Sequence, residues 1–164
     1  MSLIILLDSE PLGLATNPKQ SAGADACKAW LRAMPHAGHL PLVPEIVDYE
    51  VRRELRLYKK TRGLRNLDAL AATPSYLPLT TAALRLAAEF WAQLRQTGLP
   101  TADRLALDAD VILCAQAATL DPADYGAPSA AVVVATANVG HLARLADARL
   151  WQDIFEAPST AEGA

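Results

Sequence analysis

The chain has 164 residues, 52% of them hydrophobic and 20% charged, with a formal net charge of -3. That length supports one well-buried domain and is short for two, and the mild acidity excludes a protein that coats nucleic acid through its overall charge. No run approaches the roughly 20 apolar residues that a membrane-crossing helix needs, so the expectation is a soluble, cytoplasmic protein with no membrane partner.

Ser2 to Leu7 (SLIILL) is a continuous apolar run closed at once by Asp8. A run this short and this apolar reads as a strand buried on both faces, as in a parallel sheet. Its apolar stretch is too short, and lacks the leading basic residues, for a signal peptide. Ser9 to Asn17 carries Pro, Gly and Asn and reads as a loop with about one helical turn. Pro18 is suited to open a helix, with Ala24, Cys27, Trp30, Leu31 and Met34 at helical spacing. Pro35 to Gly38 ends it, and Leu40 to Val43 reads as a second strand that Pro41 weakens. Pro44 opens a further helix, with Glu45 and Asp48 in its first turn and Lys59 and Lys60 in its last, a polarity that suits the helix dipole. Leu64 to Ala72 reads as a short helix and Tyr76 to Leu79 as a third strand. Thr80 is placed to cap a helix whose stripe is Ala83, Leu84, Ala87, Phe90, Trp91 and Leu94. Gly98 and Pro100 stop it, and Thr101 to Asp103 begin a helical region that runs through Leu105 to Ala118. Ala130 to Ala135 (AAVVVA) is a second buried strand, followed by a short helix from Val139 and a stretch with Leu150, Trp151 and Ile154. Strands alternating with helices predict βαβ units and a mainly parallel sheet in an α/β domain. The domain is expected over residues 1–156, with 157–164 a frayed tail. Cys27 and Cys114, the two cysteines, fall in apolar helical patterns and read as buried free thiols.

The acids carry the chemistry. Asp8 follows a buried strand, so it sits at the carboxyl edge of the sheet, where open α/β folds bind ligands. Glu50 borders the apolar face formed by Ile46, Val47 and Val51, where an acid must reach a cation, a donor or water; pairing with Arg53 would satisfy it, and Glu45 and Glu54 compete with it for the role. Asp110 heads the apolar run DVILCAQAA, whereas Asp103 and Asp108 have the simpler reading of acids favoured near a helix N-terminus. Thr136, Asn138 and His141 follow the AAVVVA strand and return the chain to the edge that holds Asp8; a side-chain turn at Thr136 and Asn138 is the structural alternative. Carboxylates that converge in one crevice repel unless a divalent cation lies among them.

Together LLDS at Leu6–Ser9, VPEIVDYEVRREL at Val43–Leu55, LDADVILCAQA at Leu107–Ala117 and VVVATANVGHL at Val132–Leu142 resemble the PIN-domain family, in the right order over nearly the whole chain. The resemblance implies a three-layer α/β/α sandwich and a metal-dependent ribonuclease of the kind that includes VapC-type toxins. It implies Mg2+ or Mn2+ held by Asp8, Glu50 and Asp110, hydrogen bonding from Thr136 and Asn138, a homodimer, and a small antitoxin partner. The chain departs from the family at His141, where many members carry a fourth acid; imidazole suits Mn2+ better than Mg2+. The stretch RRELRLYKKTRGLR (52–65) supplies Arg52, Arg53, Arg56, Lys59 and Lys60 beside Glu50, a local patch suited to single-stranded RNA, with Tyr58 available to stack on a base. The competing readings are a PIN-like module that has lost hydrolysis and a haloacid-dehalogenase-type phosphotransferase. The latter needs an aspartate two residues after Asp8, where Glu10 stands. No Gly-rich phosphate loop and no nucleophile elbow is present.

Overall fold

A computed structural model of the chain describes residues 2–98 and 104–155. In it, β1 (Leu3–Leu7) leads into α1 (Ser9–Thr16) and α2 (Ala22–His36), and β2 (Leu40–Pro44) into α3 (Glu45–Leu57) and α4 (Thr61–Ala71). Then β3 (Tyr76–Leu77) leads into α5 (Thr81–Gln96) and α6 (Arg104–Thr119), β4 (Ala131–Thr136) into α7 (Val139–Leu142), and β5 (Ala148–Leu150) follows. The five strands pair in the order β3-β2-β1-β4-β5, every pair parallel, and helices flank the sheet. This is the expected α/β sandwich.

The apolar runs explain the centre. Ile4, Ile5 and Leu6 of β1 and Val133 and Val134 of β4 are wholly buried, as central parallel strands covered on both faces must be. Pro41, which removes a ladder donor, is tolerated because β3 is only two residues long and pairs with β2 at Val43 and Pro44, leaving Pro41 unpaired on that side. A separate small-residue cluster, with Ala83, Ala87, Val111 and Ala115 among its members, joins α5 to α6.

Several boundaries differ from expectation for local reasons. Ser9–Thr16 is a helix of eight residues, because the Asp8 side chain accepts from the Ser9 N–H at its start and Pro11 lies in a first turn where its missing N–H costs nothing. Pro18 does not open α2. Ser21 does, accepting from the Ala24 N–H at 3.1 Å. The helix expected to run to Lys60 stops at Leu57, and Lys59 takes a left-handed φ of 53°. The third strand keeps only Tyr76 and Leu77 of the expected four residues. Thr80 caps α5 as expected, accepting from the Ala83 N–H. Leu84 and Trp91 of its stripe are 47% and 40% exposed and do not enter the core. The strand β5, not foreseen in the sequence, pairs with β4 at Ala148, Arg149 and Leu150.

The segment after it docks through side chains. Trp30 Nε1 donates to the Ile154 carbonyl at 2.9 Å, and the Trp30 and Trp151 rings lie 5.6 Å apart. Pro100, the Thr101–Asp103 helix start, Asp103 and the expected tail at 157–164, with its boundary at 156, lie outside the described residues. Among the described residues no helix is long and apolar enough to cross a membrane.

Candidate active site

Because β2 and β4 lie on opposite sides of β1, the chain reverses its direction of travel across the sheet there, which opens a crevice at the carboxyl ends of β1 and β4. Leu7 is in register with Ala135, so Asp8 and Thr136 emerge level with each other. The Asp8 N–H donates to the Ala135 carbonyl at 2.9 Å. Its Oδ1 accepts from the Ser9 N–H and its Oδ2 from the Thr136 hydroxyl, both at 2.7 Å. The Thr136 Oγ1, itself buried, accepts from the Asn138 N–H at 3.0 Å. This chain of bonds fixes the carboxylate of Asp8 in one orientation. Thr136 thus forms a side-chain turn with Asn138 and also touches the carboxylate of Asp8. The Asn138 side chain is exposed and makes no cap on α7.

Glu50 arrives from α3, which packs against α1, α4 and α6. Its side chain is only 18% exposed, and the carboxyl is pushed up from 4.5 to about 7. Burial is the largest cause, followed by the charges of Asp8 and Asp110, while Arg53 pulls the other way. The Arg53 guanidinium stands 4.0 Å from the Glu50 carboxylate, a loose ion pair, and lies over the Tyr49 ring. Asp110, in the middle of α6, is pushed up to about 6 by burial and then by Asp8, with His141 pulling it down. Asp8 thus acts on both other acids, and His141 stands near enough to act on Asp110. Of the competing glutamates, Glu45 accepts from the Leu79 N–H and Glu54 is exposed. Asp108 is exposed as well, pointing away from the crevice. Burial, then Asp110 and Asp8, drives the Cys114 thiol up to about 12, and burial, then Glu10, drives Cys27 to about 11, so neither is a thiolate near neutral pH.

The donor chemistry suits a hard divalent cation: three carboxylates, two of them destabilised as anions. Their positions do not close around an ion, since among the described residues no three His, Cys, Asp or Glu side chains form a group that could hold one. A small cation that keeps most of its waters, as Mg2+ does, needs only one or two direct carboxylates.

The basic residues divide. Arg52 donates to Asp48 at 2.7 Å and to Asp68 at 2.6 Å, and Tyr76 donates to the same Asp48, so this arginine ties α3 to α4 and β3. Its guanidinium is committed to the fold. Arg53, Arg56, Lys59 and Lys60 are exposed. A groove of about 480 Å³ runs beside Glu50 between α1 and the end of α3, bordered by Ser9, Asn17, Lys19, Glu54, Tyr58 and Lys60. The expected loop with about one helical turn at Ser9–Asn17 does not predict this groove, whereas the acid before Ser9 and the proline two residues on signal a capped helix.

No protein-family model matches the sequence, and no curated protein matches it either. The structure is similar to a chain in the crystal structure of VapBC2 from Rickettsia felis bound to a DNA fragment from their promoter, with a TM-score of 0.61. The two share a fold. The likeness covers 90% of this chain and 98% of that one at 14% identity, so it extends to the architecture alone.

Proposed function

We propose that the chain is a divalent-metal-dependent ribonuclease that hydrolyses phosphodiester bonds in single-stranded RNA, and that it acts as the toxin of a toxin–antitoxin pair. One observation carries the reading: Asp8, Glu50 and Asp110 come from three separate elements to one crevice, where the charge of Asp8 raises the other two. These three would hold Mg2+ or Mn2+ directly or through water, with His141 as a further group suited to Mn2+. Bound there, the ion supplies the charge that activates water and offsets the negative charge developing on the phosphate. The chain's own residues position the parts. Thr136 and the Ser9 N–H hold Asp8, and the exposed side chain of Asn138 would orient a water or a phosphate oxygen. Arg53, Arg56, Lys59 and Lys60 attract the RNA backbone towards Glu50. The antitoxin partner rests on the family resemblance and the likeness to VapBC2, and a second copy of the chain would cover Leu84 and Trp91 of α5.

The test is cleavage of a mixed single-stranded RNA pool by antitoxin-free protein in Mn2+, Mg2+ or EDTA, beside Asp8→Asn. Metal-dependent cutting that disappears in the variant is expected. Folded protein that cuts nothing in either metal would overturn it. A second reading, a PIN-like module that binds RNA or a protein without cutting, is favoured by His141 standing at the position of a fourth acid. It requires weak Mn2+ binding by calorimetry.

A further inference from the structure

The groove beside Glu50 has a chemistry of its own. At about 480 Å³ it is large enough for a small-molecule-sized group, and of the three crevice acids Glu50 borders it, next to Ser9, the neighbour of Asp8. Val51 and Leu55 give it an apolar wall, Tyr58 sets an exposed ring at one end, and Lys19 and Lys60 stand at the rim. Among the described residues Glu54, on the same wall, and Glu10, on α1, have no ion-pair partner. Lys59 is the one described non-glycine residue with a positive φ, and this turn brings Tyr58 and Lys60 to the same groove. A left-handed lysine is strained, and such strain persists where the surroundings hold it.

An apolar slot with an aromatic edge, uncommitted carboxylates and flanking cations matches an unstacked nucleobase whose phosphates lie outside. We propose that this groove is a base-recognition subsite for the RNA nucleotide next to the one cut, and that Glu54 selects bases that present amino donors. Guanine fits best, because its N1–H and N2–H offer two parallel donors to one carboxylate. Uracil fits worst, since carbonyl oxygens flank its single N–H and face the carboxylate charge. Tyr58 supplies stacking, and Lys19 and Lys60 take the neighbouring phosphates. The inference rests on the nuclease reading for the role of the base, and its test is built on binding so that the two stand or fall separately.

The experiment measures anisotropy of labelled pentauridine and of pentamers with G, C or A at the centre, in EDTA and again in Ca2+, against wild type, Glu54→Gln and Tyr58→Ala. The G-centred pentamer should bind wild type about five-fold or more tighter than pentauridine, in the range of one paired hydrogen-bond contact. Glu54→Gln should bring that ratio to within about two-fold, because an amide offers one acceptor and one donor. Tyr58→Ala should weaken every pentamer about ten-fold. Both side chains are exposed, and the unchanged circular dichroism expected of both variants makes a binding change readable. A wild type without base preference, or a preference that survives Glu54→Gln, overturns the proposal even if the protein cuts RNA. A preference that Glu54→Gln abolishes upholds it even if the protein cuts nothing. Failure to bind any pentamer also overturns it and leaves the groove to a protein partner.

Discussion

Replacing Glu50 by Gln should stabilise the metal-free protein at pH 8 and do almost nothing at pH 4.5. The carboxyl of Glu50 titrates at about 7 in the fold against an ordinary 4.5, chiefly through burial and then through Asp8 and Asp110. An acid whose pKa is raised on folding binds its proton more tightly in the native state. Its favourable contribution is therefore complete below about pH 4.5 and is lost as the pH rises through about 7. The shift corresponds to roughly 3 kcal/mol, an upper value because a buried amide also loses some hydration. For a chain of this length that amounts to about 5–10 °C in Tm. Thermal unfolding of both proteins in EDTA between pH 4.5 and 8 reads the difference directly, and taking the difference cancels the titrating groups that do not interact with Glu50. A gain in Tm that opens between pH 4.5 and 7 is expected, together with a rise in wild-type Tm on adding Mn2+ that the variant shows less strongly. A variant less stable than wild type at pH 8, or a difference that ignores pH, would refute the account of three mutually repelling acids.

Three further outcomes follow from contacts around the site. Thr136→Val removes the bond to Asp8 and leaves the Asn138 N–H without its acceptor; it should cost about 1–2 kcal/mol in urea unfolding and release the Asp8 carboxylate, so metal affinity falls as well. Arg52→Gln leaves the buried Asp48 with only Tyr76 as a side-chain donor, a loss of about 2 kcal/mol in chemical denaturation, whereas Arg56→Gln should leave stability unchanged and reduce the salt dependence of RNA binding. Trp30→Phe loses the hydrogen bond to Ile154 while keeping most of the ring; about 1 kcal/mol of stability and faster proteolysis near 150–155 are expected.

The parallel sheet was legible in the residues because Leu3–Leu7 and Ala131–Thr136 are too short and too uniformly apolar for anything but buried strands. The position of Asp8 followed from the same rule. What local sequence could not report were contacts between distant segments. Ala148–Leu150 carries an arginine and an exposed leucine, and it becomes a strand because β4 offers it an edge. Lys59 and Lys60 read as a helix end by charge, yet the turn at Lys59 stops α3 earlier, because the Lys60 N–H finds the Leu55 carbonyl.

The sequence by itself determined the βαβ alternation and the acids available at its carboxyl edge, since hydrophobic period and residue type are local properties. The tertiary structure alone decided which acids meet. Glu45, Glu50 and Glu54 share a helix, but only the packing of α3 against α1 and α6 turns Glu50 towards Asp8 and Asp110. It also decided that Arg52 belongs to the fold and that a groove opens beside the acids, because both depend on partners 16 or more residues away in the chain.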